Sequence, residues 1–346
     1  MRQVALVGFG YWGEKLARVI QNSTFANLRW CCDISEPNLE TAKKLFPAAN
    51  VTTKLYDVLK DKNVSAVIIA TPAKSHYMIS KEALLAGKHV LVEKPITTNA
   101  ADVKELISLA KKKKKILMTS HIFLYNLAIM KIKEMISKKE LGNIFYGYGT
   151  YAGPGPIRSD FSVVFDLAIH FLYTFSYLLN GLPKSVSALG KSYLSPDNPD
   201  IAFLNLEYKK NIYFNLRVSW MHPIKTRSLV VVGDKKTIVF DDTLTDKIVV
   251  YDKGITPSYK KNSKMKEFVF NFGDIIQPHL KFKEPLAEVF SQFMSSLQSR
   301  QNPKISASDI VNIIVILEAA EYSLRNEGLK VQLKYNRINK LLSFKK

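Results

Sequence analysis

Short apolar runs alternate with segments of helical periodicity over about the first 120 residues of the chain. The runs predict strands at Val4–Val7, Leu28–Cys32, Ser65–Ala70, His89–Glu93 and Ile116–Thr119, and the helical segments begin near Glu14, Pro37, Ser75 and Asn99. Such alternation is typical of a parallel sheet whose right-handed crossover helices cover both faces. Residues 1–120 are therefore predicted to form an α/β domain with a doubly wound parallel sheet.

The pattern changes beyond about residue 121. A helix is predicted at Leu127–Lys138, a strand at Ile144–Tyr151 and a long apolar helix at Val163–Leu179, followed by strands at Ser185–Gly190, Ile201–Tyr208, Ile212–Ser219, Ser228–Val232, Thr237–Asp241 and Lys247–Tyr251 and by helices at Pro285–Ser299 and Ala307–Arg325. Strands that follow one another without helices between them favour an antiparallel or mixed sheet. Residues 121–346 are therefore predicted to form a second, α+β domain with a mostly antiparallel sheet.

A glycine-rich turn, G-x-G-x-x-G, follows the first predicted strand directly and opens the first predicted helix. In a dinucleotide-binding turn Gly8 would permit the tight bend, Gly10 would let the backbone approach a pyrophosphate, and Gly13 would let the helix lie close to the strand. The phosphates would lie at the helix N-terminus, where unpaired N–H groups and the helix dipole favour anions. The alternative is a glycine-rich turn that merely packs.

An acidic residue with the spacing expected for ribose recognition accompanies this turn. Asp33 closes the second predicted strand 20 residues after Gly13, and a carboxylate at this place accepts a hydrogen bond from a ribose hydroxyl. The same carboxylate would repel the 2′-phosphate of NADP. The turn and the acid together predict a Rossmann domain that binds NAD in preference to NADP.

Length and charge narrow the picture. At 346 residues the chain favours two domains, since a domain commonly has about 100–200 residues. The formal net charge is +20, and the excess lysines are scattered or lie at predicted helix ends and loops, such as Lys111–Lys115 and the stretch with Lys260, Lys261, Lys264 and Lys266. This distribution of lysines is best explained as a solvated surface. The second explanation is a positive field that attracts an anionic substrate. No nucleic-acid-binding motif accompanies the charge, so we expect no nucleic-acid partner.

The two cysteines are neighbours, Cys31 and Cys32, in a predicted buried strand. Successive side chains of a strand point to opposite faces, so this pair cannot form a useful disulfide, and we expect core residues with no metal role. The chain opens with a strand pattern instead of a secretory signal, and no apolar stretch reaches the length of a membrane span, about 18–20 residues. We expect a cytoplasmic protein with no membrane partner.

Polar residues follow several predicted strands, at the sheet edge where ligands of such folds bind. Thr71-Pro72 and Ser120-His121 each follow a strand, and Glu93-Lys94-Pro95 places a lysine where a nicotinamide would lie. Partial desolvation beside a positively charged neighbour would suit Lys94 to polarise or deprotonate a hydroxyl. The alternative is an ordinary surface charge at a strand end.

Asp166 and His170 lie four residues apart on the predicted apolar helix and therefore share one face of it. An acid and a histidine in such a helix require each other or a ligand. Histidine is suited to proton transfer near neutral pH, with an aspartate to orient it. The alternative is an Asp–His pair that is satisfied within the core.

Taken together, the turn Gly8–Gly13, the segment Glu93-Lys94-Pro95 and the pair Asp166 and His170 resemble the glucose-fructose oxidoreductase/inositol dehydrogenase/MocA family. The resemblance covers nearly the whole chain and extends to Thr71-Pro72 with His76, to His121 with Tyr125-Asn126, and to the predicted closing helices at Pro285–Glu288 and Leu317–Ala320. The family implies a Rossmann domain and an α+β domain with an open sheet that commonly supports dimers or tetramers. A homodimer or homotetramer is therefore expected.

The resemblance also implies an activity, an NAD-dependent transfer of hydride between a sugar carbon and nicotinamide C4. Lys94 would hydrogen-bond the reacting hydroxyl, His170 would be the general acid/base, and Asp166 would orient or assist it. The residues expected to contact NAD are Gly8, Phe9, Gly10, Tyr11, Trp12, Gly13, Asp33, Thr71, Pro72, His76, Glu93 and Lys94, and those expected to contact the sugar are Lys94, His121, Tyr125, Asn126, Arg158 and His170.

Within the family, the segment Gly153–Asp160 looks like the branch that oxidises nucleotide-linked sugars, notably UDP-N-acetylglucosamine or its uronic acid at C3. The guanidinium of Arg158 is suited to a carboxylate or phosphate. The chain departs from this branch in the low polarity of Phe161–Phe165 and in Ile169, where a smaller residue or a proline is usual.

Two other functions remain open from the sequence. A dehydrogenase of a free cyclitol or monosaccharide would carry the same motifs without a diphosphate site. A non-catalytic NAD(H)-binding sensor is the other, although a sensor has no reason to keep Lys94 and His170.

Overall fold

The computed structural model describes residues 1–155, 157–158, 161–194, 196, 198–259, 266–281, 283–299, 301, 303 and 306–345, with the backbone alone for 256–259 and 266–267. The chain divides into two compact units. Unit 1 comprises Met1–Tyr125 and Lys283–Ile314, and unit 2 comprises Asn126–Phe282 and Val315–Lys346. The division predicted after residue 120 assigns 283–314 to the second domain, whereas this segment packs with the first.

Strands and helices alternate through the first part of unit 1. They are β1 (Arg2–Val7), α1 (Tyr11–Gln21), β2 (Ala26–Cys32), α2 (Glu36–Leu45), β3 (Asn50–Thr52), α3 (Leu55–Lys60), β4 (Val64–Ile69), α4 (Ala73–Leu85), β5 (His89–Glu93), α5 (Ala100–Lys113) and β6 (Leu117–Ser120). The sequence pattern does not locate β3 and α3, because β3 is three residues long and none of its side chains is fully buried.

The six strands form one parallel sheet in the order β3-β2-β1-β4-β5-β6. The order reverses between β1 and β4, and ligands of doubly wound sheets bind beyond the carboxyl ends of the strands at this point. Apolar side chains of the central strands are wholly buried, as expected for strands with helices on both faces. The predicted Rossmann fold is confirmed.

In the described part of unit 2 a strand lies between two helical segments, and a series of strands follows. Its elements are α6 (Leu127–Ser137), β7 (Ile144–Ala152), a π-helix (Val164–Ala168), α7 (Ile169–Leu179), β8 (Ser185–Lys191), β9 (Ile201–Glu207), β10 (Tyr213–Ser219), β11 (Thr226–Gly233), β12 (Thr237–Asp241), β13 (Ile248–Tyr259) and β14 (Lys266–Ile276). The remaining elements of the chain are α8 (Pro285–Ser299), α9 (Ala307–Arg325), β15 (Val331–Gln332), β16 (Lys334–Asn336) and β17 (Leu341–Ser343).

A nine-stranded sheet runs in the order β14-β13-β12-β11-β7-β10-β9-β8-β15. Its strand pairs are antiparallel except for β7 and β10, which are parallel. The predicted mostly antiparallel sheet is thereby confirmed.

The helix-facing side of this sheet is packed with aromatic residues. Phe175 of α7 lies 4.4 Å from the ring of Phe214 on β10 and stacks on Phe171 at 5.8 Å. A Cβ added at Gly149 of β7 would approach Phe171 to 3.1 Å, so the glycine lets the helix lie close to the sheet. The long apolar helix predicted from the sequence thus forms the centre of this core.

The hairpin of β13 and β14 extends beyond the predicted strands. The lysine-rich stretch was expected to be a loop, but Lys266 begins β14, while Lys260, Lys261 and Lys264 lie outside the described residues. Phe268, Phe270 and Phe272 of this strand are 60–77 % exposed, so this part of the hairpin presents apolar rings at the surface of the chain. Within the part of the chain that is described, no helix is both long and apolar enough to cross a bilayer.

Candidate active site

The glycine turn after β1 is constrained by close backbone contacts. Gly8 has φ +94°, and a Cβ there would lie 2.7 Å from the backbone of Ala70 and Thr71. A Cβ at Gly13 would overlap the carbonyl oxygen of Gly8. These two positions therefore require glycine, one for a left-handed backbone and the other for close helix packing.

Gly10 differs from these two glycines because it borders open space. It is the N-cap residue of α1 and has no side chain to hydrogen-bond the first helical turn, and a Cβ added there would meet no atom of the described residues within 4 Å. A pyrophosphate has room to approach this helix N-terminus, where backbone N–H groups favour anions. The turn therefore fits a bound dinucleotide.

Asp33 lies beyond the end of β2 and holds this turn in place. Its Oδ2 accepts a hydrogen bond from the Phe9 N–H at 2.5 Å, and its Oδ1 accepts from the Ser35 N–H at 2.8 Å. A carboxylate has about four lone-pair sites, so each oxygen can accept a second hydrogen bond, as a ribose hydroxyl would require. Asp33 therefore orders the glycine turn, and its remaining lone pairs would be available to a ribose hydroxyl.

The side chains between the glycines have different surroundings. Phe9 is buried and packs edge-on against Phe46 at 5.9 Å. Tyr11 is 79 % exposed, with the ammonium of Lys15 4.6 Å from its ring centroid. Trp12 lies near the Glu93 carboxyl and lowers its pKa, against the larger effect of burial. Contact of Phe9 with a cofactor would therefore involve its backbone.

Lys94 and His121 follow the ends of adjacent strands, since Glu93 of β5 pairs with Ser120 of β6. Burial, with a smaller contribution from the charge of Lys94, lowers the pKa of His121 to about 3. His121 is therefore neutral at physiological pH. Tyr125 is buried as well, and burial raises the pKa of its hydroxyl.

Glu93 is the buried acid of this strand end. Burial raises the pKa of Glu93, while Ser120, Trp12 and Lys94 act in the opposite direction. Its Oε2 accepts a hydrogen bond from the Lys94 N–H at 3.3 Å. The segment Glu93-Lys94-Pro95 is thus held by its own acid at the sheet edge where ligands bind.

Asp166 and His170 both lie buried at the start of the long apolar helix, each 6 % exposed. The helix begins as a π-helix that contains Asp166 and continues as α7 with His170. π-helical turns inside helices occur frequently at functional sites. The indole Nε1 of Trp220 donates a hydrogen bond to Asp166 Oδ2 at 3.0 Å, so Trp220 orients the acid.

His170 is held by stacking. The Tyr151 ring of β7 lies parallel to the imidazole, with centroids 4.9 Å apart and an interplanar angle of 10°. On β11, directly paired with Tyr151, Arg227 places its guanidinium 4.9 Å from the same tyrosine ring. Burial raises the pKa of Tyr151 to about 12, so the tyrosine stays protonated and serves to position the histidine.

Two residues expected to contact the sugar, Asn126 and Arg158, differ in how far the fold itself uses their polar groups. Asn126 caps α6, since its Oδ1 accepts from the Ala128 N–H at 2.9 Å, and its Nδ2 donates to Asp242 at 2.9 Å. Arg158 lies with its guanidinium carbon 6.0 Å from the Phe161 ring, and its buried Nε has no hydrogen-bond partner among the described residues. Pro156, Ser159 and Asp160 of the same segment lie outside those residues. Asn126 is thus engaged in contacts of the fold, whereas Arg158 Nε makes no hydrogen bond within the described residues.

The sequence patterns missed Trp220, Tyr151 and Arg227, which surround the Asp166 and His170 pair. The only signal in the sequence was the alternation of β7, which places Tyr151 on the same face as Gly149. Trp220 lies just beyond the end of β10 and carries no pattern of its own. Within the described residues no cluster of three or more His, Cys, Asp or Glu side chains could hold a metal ion.

Comparison with known proteins identifies the family. Residues 2–121 match the profile described as "Oxidoreductase family, NAD-binding Rossmann fold", and residues 129–239 match the "GFO/IDH/MocA C-terminal domain". The protein therefore belongs to the GFO/IDH/MocA oxidoreductase family, and its cofactor is NAD.

Individual relatives cover most of the chain. Myo-inositol 2-dehydrogenase of Thermotoga maritima is 22 % identical over 338 residues, which are 94 % of this chain and 97 % of that enzyme. The NAD complex of GenD2 from gentamicin A biosynthesis superposes with a TM-score of 0.81 at 22 % identity and covers 96 % of each chain. The structure of the UDP-N-acetylglucosamine 3-dehydrogenase GnnA of Acidithiobacillus ferrooxidans superposes with a TM-score of 0.76 at 20 % identity, and the match covers 94 % of this chain and 97 % of that one. The two structures share the fold with this chain.

The role of Asp33 can be tested by removing its charge. Asp33→Asn should narrow the preference for NAD over NADP, because the repulsion of a 2′-phosphate is lost, and should weaken NAD because an amide donor then faces the Phe9 or Ser35 N–H. Isothermal titration with both dinucleotides measures the two effects. Glu36→Gln, a neutralised acid in the first turn of α2, is the matched control. Wild-type protein that binds NADP as tightly as NAD would contradict the assignment.

The hydrogen bond of Trp220 can be tested through stability. Trp220→Phe should lower the free energy of unfolding by about 1–3 kcal/mol, because it removes a donor from a buried carboxylate. Trp30→Phe is the control, since the indole of Trp30 also donates to a carboxylate, that of Asp61, which is half-buried and keeps Arg29 as a donor. Denaturant titration of both variants should show a smaller loss for the control, and equal losses would contradict the interpretation.

Proposed function

We propose that the protein oxidises a secondary hydroxyl of a nucleotide-linked sugar to a ketone. The reaction would run in reverse when the keto product is supplied. The observation that carries this proposal is the buried pair of Asp166 and His170, with the acid bonded to Trp220 and the imidazole stacked on Tyr151. A proton acceptor held so firmly is suited to remove a hydroxyl proton. The cofactor of the family supplies the redox partner.

Bound NAD⁺ supplies the hydride acceptor at nicotinamide C4, so the substrate C–H bond breaks with its electron pair while the O–H bond releases a proton and a C=O bond forms. In our proposal a ring nitrogen of His170 takes that proton and returns it in the reverse direction. The ammonium of Lys94 donates a hydrogen bond to the same oxygen and stabilises the negative charge that develops there. Asp166 orients the histidine.

A non-catalytic sensor of NAD(H) explains less of the structure. Burial of a carboxylate and an imidazole in an apolar helix costs free energy, and unit 2 supports the pair with a hydrogen bond from Trp220 and with the stacked ring of Tyr151. A sensor needs none of these. The dinucleotide turn alone would serve it.

The substrate class is the finer part of the proposal. The relatives include an enzyme named for myo-inositol and one named for UDP-N-acetylglucosamine. We favour the nucleotide-linked sugar because Arg158 has a buried Nε donor with no partner among the described residues, and a guanidinium pairs well with phosphate or carboxylate. A free cyclitol or monosaccharide remains the alternative, and it would leave that donor unused.

We also propose that the chain forms a homodimer or homotetramer through the face of the nine-stranded sheet that points away from α7. Tyr146, Tyr148, Phe203, Tyr213 and Leu189 are 42–58 % exposed there. Tyr146 is paired with Tyr213, and Phe203 with Leu189, so the apolar groups are contiguous. Exposed apolar patches of this kind mark interaction sites, and a second copy brings the same face.

The catalytic assignment predicts selective loss of turnover. Lys94→Ala and His170→Ala should each lower kcat by about 10²–10⁴-fold and leave the affinity for NAD within a few-fold, because both side chains act on the substrate's proton and oxygen. The kcat of Asp166→Asn should lie between those of the two alanine variants and that of the wild type. NADH absorbance over a panel of UDP-sugars, free sugars and inositols gives the rates. The control is Lys81→Ala, which removes a surface lysine paired with Glu105. Near-normal turnover of His170→Ala would show that His170 is not the general acid/base.

The anionic substrate predicts a dependence on salt. If Arg158 binds a diphosphate or uronate, kcat/KM should fall steeply from low to moderate ionic strength. With a neutral cyclitol, kcat/KM would hardly depend on ionic strength. Arg158→Lys should also reduce kcat/KM, because a point charge cannot reproduce a bidentate contact. Arg337→Ala, at an exposed turn, is the control. An Arg158→Ala variant with unchanged KM and kcat would favour the free-sugar alternative.

Self-association predicts a change of mass in solution. Sedimentation velocity should show a dimer or tetramer for the wild type, and Tyr148→Arg should shift it towards the monomer, because a charge on a buried apolar interface is costly. Ile338→Arg, at a side chain 95 % exposed and away from the sheet, should leave the mass unchanged. A monomeric wild type would refute the proposed interface.

A further inference from the structure

The imidazole of His76 lies between two backbone carbonyl groups of unit 1. Its Nδ1 is 2.7 Å from the carbonyl oxygen of Pro95, and its Nε2 is 2.7 Å from the carbonyl oxygen of Thr71. The side chain belongs to α4 and is 1 % exposed. Both ring nitrogens are thus within hydrogen-bond distance of the main chain.

The chemistry of these partners restricts the protonation of the ring. A carbonyl oxygen only accepts hydrogen bonds, and a neutral imidazole has a single N–H, so it can donate to one of the two oxygens. Only the imidazolium, with an N–H at both positions, donates to both. A lone pair facing a buried carbonyl oxygen would cost free energy instead.

The two carbonyl groups belong to loops that follow neighbouring strands. Thr71 follows β4, Pro95 follows β5, and the two strands are paired in the parallel sheet. Gly8 packs its backbone against Thr71, and Lys94 directly precedes Pro95. The ring therefore links the loop that supports the glycine turn to the loop that carries the lysine.

We propose that His76 is a positioning residue, held as an imidazolium, that clamps the loops after β4 and β5 together so that the glycine turn and Lys94 keep a fixed spacing. The ring nitrogens are engaged by the main chain, so we assign them to the loops and not to hydrogen bonds with the dinucleotide. The inference rests on the proposed function only where Lys94 is concerned. Its effect on NAD binding is independent of any substrate.

The protonation state is measured directly on the wild-type protein. Long-range ¹H–¹⁵N correlation spectra at neutral pH should show both ring nitrogens of His76 protonated, with the signals assigned by loss in His76→Gln. His89 serves as an internal reference, because its Nδ1 accepts the Ile116 N–H and so carries no proton. An unprotonated nitrogen in His76 would overturn the proposal, and this outcome requires no identified substrate.

The clamp is measured with two variants and a matched control. His76→Phe removes both donors and should weaken NAD binding by about tenfold or more, while His76→Gln, which keeps a donor for one carbonyl, should lose less. His89→Gln changes a histidine at the opposite end of β5 and should leave NAD affinity within about twofold, the range expected for a site away from the clamp. Unchanged NAD affinity in a folded His76→Phe protein would also overturn the proposal.

Turnover separates this inference from the proposed function. With an active sugar, His76→Gln should lower kcat by about tenfold to a hundredfold, since small displacements of a catalytic group cost rate, and His89→Gln should not. If the wild type oxidises no sugar, the proposed function fails, while the NMR spectra and NAD titrations still decide the role of His76. A normal kcat in His76→Gln with weakened NAD binding would overturn the link to Lys94.

Discussion

The close approach of three backbone segments at the glycine turn is the constraint on which unit 1 depends. Gly8 lies against the backbone of Ala70 and Thr71, and Gly13 lies against the carbonyl of Gly8, so neither place tolerates a side chain. These contacts bring the end of β1, the start of α1 and the end of β4 together at the point where the strand order reverses. The open space beside Gly10 follows from them, because the turn bends sharply enough to leave the first turn of α1 facing outward.

A different constraint governs unit 2, where polar groups must be satisfied inside an apolar helix. Asp166 and His170 lie in a segment otherwise made of Val, Phe, Leu, Ala and Ile, so each needs support from neighbouring strands. Trp220 supplies a donor and Tyr151 a stacked ring, and the guanidinium of Arg227 lies 4.9 Å from the centroid of that ring. The aromatic residues therefore serve two purposes, since they fill the core and hold the pair in one orientation.

The sequence predicts local features better than long-range ones. Strand-to-helix alternation, the glycine spacing and the placement of Asp33 are encoded within short segments, and the Rossmann fold follows from them. Tyr151, Trp220 and Arg227 come from three places in the chain and meet only after the nine-stranded sheet has formed, so no local pattern reveals their role. The short β3 was missed because three partly exposed residues carry no apolar pattern. By contrast, β14 does alternate, with phenylalanine at 268, 270 and 272, but the lysines before it led to the expectation of a loop.

The division of labour between backbone and side chains explains how one fold serves relatives with different substrates. The dinucleotide turn would act through glycines and main-chain groups, which do not depend on the substrate, and in the proposed function the Asp166 and His170 pair would act on a hydroxyl, which sugars and cyclitols both offer. In the proposed function, recognition of the rest of the substrate would be left to residues such as Arg158, whose Nε donor has no partner in the described part of the fold. A change at such a residue would then alter the choice of substrate, while the glycine turn and the Asp166 and His170 pair would keep their roles.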